Sequence, residues 1–236
     1  MDPERNTNQK GLGHLDSWGV IFDMDGVLID SYRAHFLSWK RMLAKHGLDI
    51  TEEEFASTFG QTNHDILARL FPSIDERDYN TLAKEKEHLF REIIRRDFPE
   101  MGGAKELISH LHEAGALLAI GSSAPRENVH TVLEMIPGGQ YFRAVTCGDE
   151  ITRGKPDPEV FLKTARKMGL PPQRCVVVED APAGVKAARS AGCAVIAFTG
   201  TAPREYLLEA DLVVDSLRDL TPDDFLRLVS TSRLKQ

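Results

Sequence analysis

Five short, uninterrupted apolar runs recur along the chain: Val20–Phe22, Ala116–Ile120, Cys175–Val178, Ala194–Phe198 and Leu212–Val214, with a weaker one at Ala144–Cys147. No other feature limits the fold as strongly. A strand with one wet face alternates apolar and polar residues. A run without polar interruption suits a strand buried on both faces, the condition of a parallel sheet. Between the runs lie segments of helical period. Gly103–Ala114 stops at Gly115, Pro125–Ile136 opens on proline, Pro158–Met168 stops at Gly169, and Ala181–Ala191 stops at Gly192. Proline near the start and glycine past the end is the asymmetry expected of helices. Strand alternating with helix predicts a doubly wound, Rossmann-like α/β core with a parallel sheet.

One section breaks this rhythm. From Tyr32 to Phe98 no strand pattern is found. Thr51-Glu-Glu-Glu54 reads as a capping box, Asn63–Phe71 is helical and halted by Pro72, and Glu76–Asp97 is long, charged and amphipathic. These segments predict an α-helical insert directly after the first strand. Ligands of open α/β sheets sit beyond the carboxyl ends of the strands, so an insert leaving that edge would cover the site. The expected division is a polar, disordered tail at 1–17, a core at 18–31 and 99–236, and a helical cap at 32–98.

Of the 236 residues, 42% are hydrophobic and 28% charged, enough apolar material for a packed core. A net charge of −7 argues against a nucleic-acid or anionic-membrane partner. The three cysteines, Cys147, Cys175 and Cys193, lie in or beside apolar runs and read as buried thiols, not as a disulfide framework or a zinc cluster. No apolar stretch has the length of a membrane span, and the N-terminus has no secretory apolar region. A cytoplasmic location, and a monomer or weak homo-oligomer, are the resulting expectations.

The chemistry is expected at the strand ends. The first strand closes on Asp23-Met-Asp25-Gly26. Residues two apart in an extended chain point to the same side, so both carboxylates can face one pocket. A turn explains Asp-Gly, but not the additional aspartate. CVVV is followed by Glu179 and Asp180, which read either as a helix cap or as oxygen ligands for Mg²⁺. Ser122 and Ser123 follow another strand and precede a helix; they could cap that helix or help bind an anion. Lys155 sits between Gly154 and Pro156, where a cation could neutralise a phosphate or a nucleophilic carboxylate. Together they form the inventory for phosphoryl transfer through an aspartyl-phosphate.

Four motifs in order, DMDGVLIDS (23–31), IGSS (120–123), GKPDPEVF (154–161) and VVVEDAPAGVKAA (176–188), closely resemble those of the haloacid dehalogenase-like hydrolase superfamily, in the branch with a helical cap. The resemblance implies that Asp23 is the nucleophile. It implies that Asp25 is the general acid/base and lends its backbone carbonyl to Mg²⁺. Ser122 and Lys155 would bind the transferring phosphoryl group, and Glu179 and Asp180 would support Mg²⁺ beside Asp23. An intact second aspartate points to phosphate esters. Within the superfamily the chain is similar to the β-phosphoglucomutase-like subgroup. His35 and Trp39 match its first cap helix, with packing as the plainer role for Trp39, and Lys86 matches a cap lysine that reaches substrate. The mutase would carry an arginine at Asn63, which grips the second phosphate of a bisphosphate. A neutral amide cannot replace a bidentate guanidinium. His64, next on the helix, would substitute only in part.

The resulting expectation is a Mg²⁺-dependent phosphatase of a small phosphorylated metabolite, a sugar phosphate in the first instance. His35, Asn63, His64 and Lys86 of the cap would choose the leaving group. A hexose-phosphate mutase is the alternative. A non-catalytic binding protein on the same fold would be expected to lack one of the matched residues, and none is missing.

Overall fold

The computed structural model describes residues 17–58 and 60–233. The expected tail, 1–17, lies outside them except for Ser17, whose carbonyl accepts from Arg174. Six parallel strands form the sheet: β1 (Gly19–Phe22), β2 (Leu117–Gly121), β3 (Phe142–Thr146), β4 (Cys175–Glu179), β5 (Ala194–Phe198) and β6 (Leu212–Val214). Their order is β3-β2-β1-β4-β5-β6. The chain builds outward from β1 on one side, then crosses to β4 on the other, so the order reverses between β1 and β4. Phe22 is level with Ile120 of β2 and Val178 of β4. The residues that follow these positions therefore leave the sheet together, at its switch point.

Apolar runs produce this sheet because both its faces are covered. Val20, Phe22, Ile120 and Val178 pack on one side with α5 (Ala104–Glu113), α6 (Arg126–Met135) and α9 (Pro222–Arg233). Ile21, Ala119, Val177 and Val195 pack on the other with α7 (Glu159–Met168) and α8 (Pro182–Ala191). The helices begin and end within about one residue of the sequence reading. Pro125 and Pro158 stand at the N-cap position, not inside the first turn. The weak run expected at Ala144–Cys147 is the strand Phe142–Thr146. It lies at the sheet edge, where half-burial admits Arg143 and blurs the apolar signal.

Between β1 and β2 stand α1 (Tyr32–Lys45), α2 (Glu52–Ala56), α3 (Asn63–Leu70) and α4 (Tyr79–Arg96). They carry their own apolar cluster, which includes Trp39, Met42, Phe55, Leu67 and Leu89. The capping box at Thr51 and Glu54 forms in full. The segment Glu76–Asp97 does not run as one helix. The Asp75 carboxylate accepts from the Arg77 N–H at 2.9 Å, a separate 3₁₀ turn covers Glu76–Asp78, and α4 begins at Tyr79. A short acidic side chain that bonds its own backbone competes with helix continuation.

All three cysteines are free and buried. Burial pushes the Cys147 thiol up to about 11 and the Cys175 thiol up to about 12, so both stay protonated, inert packing groups. Among the described residues, no helix is long and apolar enough to cross a membrane.

Candidate active site

Asp23 continues β1 for one residue, its N–H donating to the Val178 carbonyl at 3.0 Å. That bond fixes it beside the end of β4, where Glu179 and Asp180 emerge. Lys155 closes the group. Its Nζ donates to Asp23 Oδ1 at 2.5 Å and to Glu179 Oε1 at 2.5 Å, with the ammonium 5.0 Å from the centre of the Phe161 ring. Asp23, Glu179 and Asp180 are all buried, with one carboxylate oxygen from each within 4.8 Å of the others.

Three carboxylates around one ammonium leave an excess of buried negative charge. Burial is the largest cause that raises Asp23, to about 7; Glu179 and Asp25 add to it and Lys155 opposes it. Burial, then Glu179 and Asp23, raise Asp180 as well. A clustered, oxygen-only donor set with unmet negative charge fits a hard divalent cation. The oxygens differ in availability. Glu179 Oε1 is held by Lys155, and Oε2 accepts from the N–H groups of Asp180 and Ala181 at 3.0 and 3.2 Å. Asp180 is held at one oxygen by the Thr201 hydroxyl. Asp23 and Asp180 thus keep free oxygens for a cation, and Glu179 anchors the cluster.

Gly26 and Gly184 allow this crowding. A Cβ on Gly26, which has φ +79°, would overlap the Asp180 carboxylate, and one on Gly184 would overlap the Glu179 carboxylate.

Asp25 sits in a different electrostatic environment. Burial alone would raise it, but the hydrogen bond from His35 and the charge of nearby Lys86 help to outweigh burial and hold it below the ordinary carboxylate range. The two side chains meet at 3.2 Å through His35 Nε2. Lys86 Nζ lies 2.8 Å from His35 Nδ1. An ammonium can only donate, so Nδ1 is the acceptor and Nε2 carries the proton given to Asp25. The ring is stacked on Phe90, with centroids 4.2 Å apart.

Ser122 is buried, its Oγ accepting from the Ala124 N–H at 3.1 Å, and Ser123 lines the cavity. Neither caps α6, whose N-cap is Pro125. The cavity has a volume of about 600 Å³ and lies between sheet edge and cap. Asp23, Asp25, Lys155, Glu179 and Asp180 line it from the core, and His35, Trp39, Asn63 and Lys86 from the cap. Trp39 is 1% exposed and belongs to the cap cluster, so it packs as well as lines.

His64 is a correction. It is not among the cavity-lining residues; its ring lies edge-on to Tyr79 and 3.7 Å from Glu76. Successive helix positions are about 100° apart, and on α3 that step turns His64 away from the wall that Asn63 lines. Sequence reasoning missed Thr201, Glu87 and Asn128. Thr201 and Asn128 carry no local pattern. Glu87 had a signal, because its neighbour Lys86 interrupts the apolar stripe of Leu82, Leu89 and Phe90. A charge on such a stripe calls for a buried partner.

Carboxylates and a lysine gathered where the strand order reverses, beneath a helical cover, define a group-transfer enzyme on a doubly wound sheet. Residues 20–198 match the family model of the haloacid dehalogenase-like hydrolases, and the chain belongs to that family. It is 36% identical over 205 residues to hexitol phosphatase A of Escherichia coli (strain K12), covering 86% of this chain and 93% of that one. It is 31% identical to fructose-1-phosphate phosphatase YqaB of the same organism, over 74% and 92% of the two chains. Among solved structures, β-phosphoglucomutase from Clostridium difficile superposes with a TM-score of 0.79 at 25% identity, over 92% of this chain and 99% of that one.

Proposed function

We propose that the protein is a Mg²⁺-dependent phosphatase of a small phosphorylated carbohydrate, acting through an aspartyl-phosphate on Asp23. The observation that carries this reading is the separation of two carboxylates into two environments. Asp23 is bound by Lys155 in the acidic cluster, and Asp25 is bound by His35. A carboxylate held beside an ammonium in the cation-binding cluster suits the nucleophile, and one outside that cluster, hydrogen-bonded to a histidine, suits the acid/base. The phosphatase names of the relatives above support the reading.

An Asp23 oxygen attacks phosphorus as the ester P–O bond breaks, and Asp25 gives its proton to the departing alkoxide. The negative charge of the bound ester raises Asp25 enough to hold that proton. Asp25 then takes a proton from water, which attacks phosphorus and releases Asp23 and inorganic phosphate. Lys155, Ser122 and the backbone N–H groups of Met24 and Ser123 are assigned to the oxygens of the transferred group. When bound by Asp23, Asp180 and the Asp25 carbonyl, with Glu179 behind, Mg²⁺ neutralises the phosphoryl charge. The cap holds bulk water away.

The mutase alternative rests on the structural likeness to β-phosphoglucomutase. Against it, the Asn63 amide is spent on a hydrogen bond to Glu87 at 2.7 Å. Phosphate release from a panel of hexitol and hexose monophosphates, with Mg²⁺ and with EDTA, tests the proposal. Mg²⁺-dependent release supports it. Glucose 6-phosphate formed from β-glucose 1-phosphate without matching phosphate release overturns it in favour of the mutase.

A further inference from the structure

The cap wall of the cavity is built around an ion that the reaction does not use. Glu87, on α4, is 8% exposed and lines the cavity. Its Oε1 accepts from Asn63 Nδ2 at 2.7 Å and from Lys86 Nζ at 2.9 Å, and its Oε2 accepts from Asn128 Nδ2 at 2.6 Å. Asn128 belongs to core helix α6, and its Oδ1 accepts from Arg91 at 2.9 Å. Burial opposes the charge on Glu87, yet Lys86 and the two amides hold the carboxyl low, at about 2. The group is an anion throughout the physiological range.

A carboxylate has about four acceptor positions, and three donors occupy them here, leaving capacity at Oε2. Both amides turn their NH₂ groups to Glu87. The oxygen that Asn63 leaves is again an acceptor. Among the described residues lining the cavity, the lysines are Lys86 and Lys155, and each is already engaged with a carboxylate. Such a wall receives hydroxyl donors well. A second phosphate or a carboxylate on the leaving group would face a fixed anion in a site of low dielectric.

We propose that Glu87 is a specificity-determining residue: it accepts a hydrogen bond from a hydroxyl of a neutral, polyhydroxylated leaving group and rejects leaving groups that carry a second anionic group. This rests on the phosphatase reading of the same site.

The test is calorimetric binding to the full chain carrying Asp23→Asn, which removes turnover, with a hexitol 6-phosphate and a hexose 1,6-bisphosphate as probes in the presence of Mg²⁺. With Glu87 intact, the monophosphate is expected to bind at least about tenfold more tightly, because like charges at close quarters are strongly disfavoured. Adding Glu87→Gln is expected to bring the two affinities to within about threefold, chiefly by a gain for the bisphosphate. Equal affinities with Glu87 in place overturn the proposal, and that comparison needs no cap variant to fold. A ratio unchanged by Glu87→Gln in a folded protein also overturns it. Phosphate release by the wild-type chain is scored separately. Selective binding of the monophosphate without release would overturn the phosphatase reading while supporting the role of Glu87. Equal release from both esters would overturn the role of Glu87 alone.

Discussion

Gly184 is the third residue of α8, and the tightness of the acidic cluster can be tested there with a single methyl group. A Cβ at this position would occupy the space of the Glu179 carboxylate. Glu179 cannot swing aside freely. It is 1% exposed, bonded to Lys155 at 2.5 Å, and accepts two backbone N–H groups. Gly184→Ala must therefore lift the first turn of α8 off β4 or break bonds to a buried anion. Overpacking of this kind costs about 1–3 kcal/mol, and a hydrogen bond lost from a charged acceptor about 1.5–3 kcal/mol. Alanine returns about 1 kcal/mol of helix propensity. A net loss of about 2 kcal/mol is expected, or roughly 4–8 °C in Tm for a chain of this size. The same displacement shifts Asp180, so the Mg²⁺ concentration for half-maximal phosphate release should rise at least about tenfold. Thermal unfolding and a Mg²⁺ titration of activity read the two effects. Gly154→Ala is the control for stability, because a Cβ there meets nothing within 4 Å. An unchanged or raised Tm with an unchanged Mg²⁺ requirement would refute the packing of Glu179 described above.

Thr201→Val removes the hydroxyl that holds Asp180 while keeping its shape; Mg²⁺ affinity should fall about 10-fold with little change in kcat at saturating Mg²⁺. His35→Ala removes the donor that holds Asp25 low, so the basic limb of the kcat/KM profile, where Asp25 loses the proton it gives to the alkoxide, should move to higher pH and kcat should fall roughly 10- to 100-fold, whereas an unmoved limb would count against the Asp25–His35 contact. Glu87 has a depressed folded-state pKa, so its stabilisation is present above its ordinary value of 4.5 and is lost as the pH falls towards about 2. It corresponds to about 3 kcal/mol at neutral pH, of which about 1 kcal/mol should be gone by pH 3.5. Denaturant unfolding of the wild type and Glu87→Gln at pH 7 and 3.5 should show the gap between them narrowing.

The sheet was legible because its central strands are buried on both faces, which leaves continuous runs such as Cys175–Val178 in the sequence. β3 was blurred because an edge strand can carry Arg143. The division of Glu76–Asp97 was not legible because it depends on one Asx bond from Asp75. The core carboxylates could be read because they follow buried runs, and parallel register brings those ends together, whereas Lys155, on a loop well past β3, stood out only by its Gly154 and Pro156 neighbours. Thr201 and Asn128 reach the cavity only through tertiary packing, from stretches with no pattern of their own. His64 is expected to help choose the leaving group, with its place one position beyond Asn63 limiting that role, and it does not line the cavity. On α3 the step of about 100° per residue carries His64 away from the cavity, whereas on α4 both Lys86 and Glu87 reach it.

The central claim is that the phosphoryl group rests on Asp23. Rapid acid quench of the enzyme with a ³²P-labelled hexitol 6-phosphate and Mg²⁺, followed by peptide mapping, tests it directly. Label on the peptide containing Asp23, absent from Asp23→Asn and discharged by hydroxylamine, is the expected result. Phosphate release at full rate by Asp23→Asn, or label on another residue, would contradict it.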